Sequence, residues 1–203
     1  MKRLRFGIDH DGVLSNPWEL FINWYNERYQ TRFKVEDFLA PDSTAIFGKS
    51  IEELSADTAS FYDEHGCLNL PPNPGAIEGI QELARIGEIF VVTARPDIFL
   101  ADSYSWNNRH ISNLVREMFL AKCHYRKELT NHRKNKSEIC LEREIDLMVD
   151  DDINNARYCA EAGVRTLLFD NYKIRNSIDL PTKARVVHSW PEVVAEAKRL
   201  VQG

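Results

Sequence analysis

The residues that could do chemistry are carboxylates placed directly after apolar runs. Asp9 and Asp11 stand two apart in Phe6-Gly7-Ile8-Asp9-His10-Asp11-Gly12-Val13-Leu14, after the run from Leu4 to Ile8. Asp150, Asp151 and Asp152 follow a second run, Ile145 to Val149. Thr93, Ala94 and Arg95 follow a third, Ile89 to Val92. Gathered carboxylates repel one another, so a cation is their natural companion, and Mg²⁺ takes oxygen ligands from one or two carboxylates. This inventory suits phosphoryl transfer, which needs an in-line nucleophile and neutralised phosphate oxygens. A carboxylate nucleophile would form an aspartyl-phosphate. The Thr93 hydroxyl, the Ala94 N–H and Arg95 are candidate phosphate-binding groups, with a lysine supplying further positive charge. Lys134 and Lys136 both qualify. Lys136 is preferred, because Lys136-Ser137-Glu138 reads as the start of the helix before the Asp150 strand.

Each cluster has a plainer explanation. Asp11-Gly12 between apolar runs is a hairpin signal, Thr93 a strand end, and the Asp150 cluster a helix cap. Their arrival together, in this order, argues for one site. Cys123, His124 and His132 match no usual zinc spacing. Arg126, Lys127 and Arg133 read as a solvated basic loop.

The elements that must carry these residues alternate. Short apolar runs bounded by Asp and Gly read as buried strands. Asn73-Pro74 opens a helix with Ile77, Ile80, Leu83 and Ala84, ended by Gly87. A helix carrying Tyr104, Ile111 and Val115 follows the Thr93 strand, and Met118 to Ala121 forms a short strand. Ser137 to Arg143 is helical. Asp152 caps another helix, stopped by Gly163. Arg165–Phe169 and Val186-Val187 are strands, and the chain closes with a helix over 191–201. Strands alternating with helices predict a parallel sheet covered on both faces, with ligands at the carboxyl ends of the strands. Residues 16 to about 65 break the alternation. Trp18, Phe21, Ile22, Tyr25 and Tyr29 recur at helical spacing and read as core packing. Ser50 and Glu53 form a capping-box pattern, with Ile51, Leu54 and Phe61 on the inner face. This stretch is an inserted helical cap, joined through Leu70-Pro71-Pro72-Asn73-Pro74.

With 203 residues and 43% hydrophobic residues, one core plus a small insertion is expected. A net charge of -5 gives no reason to expect nucleic acid or an anionic membrane as partner. No apolar run approaches the roughly 18 residues of a membrane span, and the N-terminus does not read as a signal peptide. Scattered Cys67, Cys123, Cys140 and Cys159 suggest reduced thiols and a cytoplasmic protein.

The order Asp9-x-Asp11, Thr93, Lys136, Asp150-Asp151 resembles the four motifs of the haloacid dehalogenase-like hydrolases. Further stretches resemble their 5'(3')-deoxyribonucleotidase and related nucleotidase branch. These are Asp11-Gly12-Val13-Leu14; Phe61-Tyr62 with Pro72-x-Pro74-Gly75-Ala76; Trp106; and His188-Ser189-Trp190. The chain departs from that branch at His10 and at Thr93-Ala94-Arg95-Pro96, where the branch has Thr-Ser-Pro. The resemblance implies an α/β fold with a doubly wound, Rossmann-like parallel sheet: core residues 1–14 and 72–203, cap residues 15–71. It implies a Mg²⁺-dependent phosphomonoesterase with Asp9 as nucleophile and Asp11 as general acid and base. Asp9, the Asp11 carbonyl and Asp150, with Asp151 close by, would hold the metal. Thr93, Ala94, Arg95 and Lys136 would bind phosphate. The implied partner is a small phosphomonoester, first a (deoxy)nucleoside monophosphate and second a sugar phosphate, with a homodimer left open. A catalytically silent binding module would have lost Asp9 or Asp11, and both are present.

Overall fold

The computed structural model of the chain describes residues 3–123, 132–175 and 178–202. Among the described residues, six parallel strands form one sheet: β1 (Leu4–Ile8), β2 (Gly87–Thr93), β3 (Val115–Leu120), β4 (Leu147–Asp150), β5 (Arg165–Phe169) and β6 (Ala184–Val187). Their spatial order is β3-β2-β1-β4-β5-β6. The order reverses between β1 and β4, so the switch point of this doubly wound sheet lies there.

Alternation along the strands explains the layers. On β2, Ile89 and Val91 join a core with Phe6, Ile80, Trp106 and Trp190. Phe90 and Val92 face the other way, onto Ile139, Cys140, Met148 and Cys159. The first layer carries α5 (Ala76–Ile86), α6 (Leu100–His110) and α9 (Trp190–Gln202). The second carries α7 (Lys136–Glu142) and α8 (Ile153–Glu161). Gly79 makes the first layer fit, since a Cβ there would stand 2.2 Å from the Trp190 ring.

Between β1 and α5 lie four helices: α1 (Trp18–Tyr29), α2 (Val35–Leu39), α3 (Ser43–Phe47) and α4 (Ile51–His65). They pack on their own aromatic cluster, which includes Phe21, Trp24, Tyr25, Phe47, Phe61 and Tyr62. Ser50 caps α4 with the expected reciprocal bonds: Glu53 N donates to Ser50 Oγ, and Ser50 N donates to Glu53 Oε2.

Several local expectations need correction. Ile51 does not face inward; it is 61% exposed at the start of α4. Tyr29 is likewise exposed. Helix α6 ends at His110, and Val115 opens β3, because Asn113 at φ 62° turns the chain between them. Asn73 does not cap α5: Gly75, in the left-handed region, occupies that position. All four cysteines are buried thiols. His124, Arg126 and Lys127 lie outside the described residues. His132 pairs with Asp97 at 3.0 Å. No helix among the described residues is long and apolar enough to cross a membrane.

Candidate active site

Strand register brings the motif residues together. Ile8 pairs with Val149 and with Val91, so the next residues on β1 and β4 are Asp9 and Asp150, with Thr93 ending β2 alongside. Asp9 extends the pairing by donating its N–H to Val149 O at 2.9 Å. The chain then turns sharply. Gly12 N donates to Ser15 O, and Leu14 N and Ser15 N both donate to His10 O. Gly12 sits at φ +79°, and a Cβ there would fall 1.9 Å from Asp151 Oδ2. Only glycine allows Asp151 this close to the turn. The Asn73 side chain braces the turn, donating to Gly12 O at 2.7 Å and to Val13 O at 2.9 Å.

Oxygens of Asp9, Asp150 and Asp151 lie within 4.8 Å of one another. Among the described residues, one cation pairs with them. Lys136 Nζ, 3% exposed at the first position of α7, is 2.6 Å from Asp9 Oδ2 and 2.8 Å from Asp150 Oδ2. Lys134 is exposed and paired with Glu142, away from the carboxylates. Burial, offset by Lys136 and reinforced by Asp150, pushes the Asp9 carboxyl up to about 7. Burial and the charges of Asp9 and Asp150 push Asp151 well above the ordinary range. Burial also raises Asp150, against the pull of Lys136. Three clustered carboxylates with one ammonium leave uncompensated negative charge, which is the condition a divalent cation relieves. The oxygen-only donor set fits Mg²⁺.

Asp11 has a different partner. Arg95 Nε donates to Asp11 Oδ2 at 2.8 Å, and Nη2 to Oδ1 at 2.5 Å. Burial would raise this carboxyl, but the Arg95 charge and its hydrogen bonds outweigh burial and hold it below its ordinary value. Arg95, expected among the phosphate-binding groups, is 1% exposed and turned onto Asp11, Ser15 and Ser103. Thr93 is buried at the end of β2, its Oγ1 accepting from Arg95 N, and Ala94 lies beside it on the wall of the site.

These groups floor a cleft of about 600 Å³. Trp18, Phe38, Ile51 and Tyr62 of α1, α2 and α4 line it, as does Tyr158 of α8. The exposure of Ile51 follows from this, since it lines the cleft instead of the aromatic cluster. Sequence reasoning missed Asn73, Ser15, Ser103 and the aromatic wall. Asn73 and Ser15 were visible only as helix-start signals, and Ser103 carried none.

A family model described as "5' nucleotidase, deoxy (Pyrimidine), cytosolic type C protein" matches residues 3–200. A candidate nucleotidase of Halalkalibacterium halodurans is 26% identical over 204 residues, covering 96% of this chain and 92% of its own. A candidate 5'(3')-deoxyribonucleotidase of Bordetella bronchiseptica is 30% identical over 109 residues, 51% of this chain and 58% of its own. Among solved structures, a haloacid dehalogenase-like family protein of Streptococcus pneumoniae superposes with TM-score 0.62 at 13% identity, covering 96% of this chain and 98% of that one. A candidate phosphoglycolate phosphatase of Lactobacillus delbrueckii gives TM-score 0.65 at 15% identity, covering 97% and 99%. At such identities the structures speak for the fold, and the family model for the activity. The chain has the fold of the haloacid dehalogenase-like structures, and it belongs to the 5' nucleotidase, deoxy (pyrimidine), cytosolic type C family, which acts on phosphomonoesters.

Proposed function

We propose that the chain is a Mg²⁺-dependent phosphatase that works through an aspartyl-phosphate on Asp9, with (deoxy)nucleoside monophosphates as substrates. The observation that carries this reading is the sharing of one buried lysine by Asp9 and Asp150, with Asp151 adjacent, on the floor of an aromatic-walled cleft. Asp9 attacks phosphorus. Lys136, beside Asp9, attracts the phosphate oxygens, and the Thr93 hydroxyl and Ala94 N–H hold them in line. Asp9, Asp150 and Asp151, with the Asp11 carbonyl, would hold Mg²⁺, which neutralises charge on the transferring phosphoryl group. Asp11, ionised beside Arg95, receives the proton of the entering phosphate monoanion, passes it to the leaving oxygen and then takes one from the attacking water.

Residues 15–71 act as the cap. Their helices bring Trp18, Phe38 and Tyr62 over the carboxylates, where they exclude water and offer flat apolar faces to the leaving nucleoside. Aromatic faces suit a base better than a sugar alone, which supports nucleotides over sugar phosphates. The family and its nucleotidase relatives support the same class. The buried thiols fit a reducing compartment, the cytoplasm.

Phosphate release should be measured across nucleoside monophosphates and sugar phosphates, with Mg²⁺ and with excess EDTA. A nucleotide should give the highest kcat/KM, and EDTA should abolish turnover. A sugar phosphate better by about tenfold, about 1.4 kcal/mol in the barrier, would overturn the substrate class. Full turnover in EDTA would overturn the metal.

A further inference from the structure

Among the described residues, two buried cations serve this site, and they are sorted between its aspartates. Lys136 is committed to Asp9 and Asp150. Arg95 is committed to Asp11. From this division we infer that Arg95 is a positioning residue that fixes the Asp11 carboxylate in the orientation from which it serves the leaving group. The inference rests on the role of Asp11 proposed above and adds the residue through which that role is set.

The geometry is that of a fork on a carboxylate. Nε and Nη2 of Arg95 engage the two oxygens of Asp11 separately, at 2.8 and 2.5 Å. A bidentate pair fixes the carboxylate plane as well as its position, which a point charge cannot do. The fork is itself held. Nη1 donates to Ser103 Oγ at 2.9 Å, and the Ser103 hydroxyl donates to Phe99 O at 2.8 Å, which ties the guanidinium to α6. Nη2 also reaches Ser15 Oγ at 3.2 Å, and Ser15 Oγ donates to Asp11 Oδ1 at 3.2 Å. Four of the five N–H donors of the guanidinium are thus directed at Asp11 and the two serines. Arg95 is 1% exposed, whereas the Asp11 side chain keeps 17% exposure towards the cleft. The arginine therefore works behind the aspartate. A carboxylate on a short side chain would otherwise sample other staggered rotamers. Proton transfer needs one oxygen within hydrogen-bond reach of the leaving atom.

Such a role predicts a dependence on the leaving group. A nucleoside alkoxide needs a proton to depart; p-nitrophenolate does not. Values of kcat/KM should be measured for a nucleoside monophosphate and for p-nitrophenyl phosphate, in wild type, Arg95→Met, Asp11→Asn and the double variant. Arg95→Met should lose on the order of 10²-fold on the nucleotide and several-fold at most on the aryl phosphate. In the Asp11→Asn background the same change should add almost nothing, because two residues acting as one unit are non-additive. Arg95→Lys keeps a buried charge beside Asp11 but cannot span both oxygens; it should show the same preferential loss on the nucleotide and guards against misfolding of the Met variant. Equal losses on both substrates, or a full additional loss in the double variant, would reduce Arg95 to a structural residue and overturn the inference. If Asp11→Asn discriminates between the substrates and the Arg95 variants do not, the inference alone fails. If Asp11→Asn does not discriminate, the role of Asp11 fails and takes the inference with it.

Discussion

Replacing Asp9 with Asn should change how the metal-free protein responds to pH, by an amount that the site itself sets. Burial, opposed by Lys136 and aided by Asp150, lifts the Asp9 carboxyl from 3.8 to about 7. The folded state then holds this proton more tightly than the unfolded chain does. A group raised in this way supports the fold fully below about pH 4 and loses that support as pH climbs to about 7. The whole change is about 4 kcal/mol, at about 1.4 kcal/mol per pH unit. Between pH 5 and pH 8 it is about 3 kcal/mol. Asn at position 9 has no proton to lose. In EDTA, wild type should therefore lose about 3 kcal/mol relative to Asp9→Asn over that interval. For a chain of this length the difference corresponds to roughly 6–12 °C in Tm. Saturating Mg²⁺ should flatten the wild-type slope, because a bound dication favours the ionised carboxylate. Urea unfolding of both proteins at pH 5, 6, 7 and 8, with EDTA and with Mg²⁺, would measure it. Parallel curves for the two proteins in EDTA would refute the crowded-carboxylate picture of the site.

Three other perturbations have defined outcomes. Asp11→Asn should destabilise by about 3–5 kcal/mol, because it strands the buried Arg95 charge, which cannot neutralise itself. Arg95→Met should cost less, since the Asp11 carboxyl, which keeps some exposure towards the cleft, can take up a proton; urea midpoints in the reverse order would contradict this. Gly12→Ala should remove most activity and lower stability, because the methyl would collide with Asp151 and the backbone is held at φ +79°; near-wild-type turnover would mean that Asp151 is free to move. Trp18→Ala should raise KM for a nucleoside monophosphate roughly 5–150-fold, the worth of about 1–3 kcal/mol of base stacking. Inhibition by inorganic phosphate should stay unchanged, and a parallel loss in both would place the tryptophan elsewhere in the mechanism.

Much of this site was legible because its residues end strands. A buried parallel strand is a short apolar run, and the polar residue that follows it must sit at the sheet's carboxyl edge, so Asp9, Thr93 and Asp150 announced their own convergence. The choice of Lys136 over Lys134 followed from helix-start chemistry, and their opposite exposures agree with that choice. Long-range pairing was not legible. Arg95 meets Asp11 across 84 residues of sequence, and Asn73 reaches Gly12 across 61. Periodicity carries no information on such contacts. Ile51 misled because an apolar residue on a helix reads as core, whereas a substrate cleft also requires apolar walls. Val115 misled because a four-residue turn, with Asn113 in the left-handed region, separated a helix from a strand without Gly or Pro to mark it.

Rapid-quench labelling with a phosphate-labelled nucleoside monophosphate and Mg²⁺ tests the central claim most directly. Wild type should carry a transient, acid-stable and base-labile label on Asp9. Asp11→Asn should form it with an aryl phosphate and retain it longer, because no group takes the proton from water. Asp9→Asn should carry none. Label on any other residue, or label surviving on Asp9→Asn protein, would contradict Asp9 as the nucleophile.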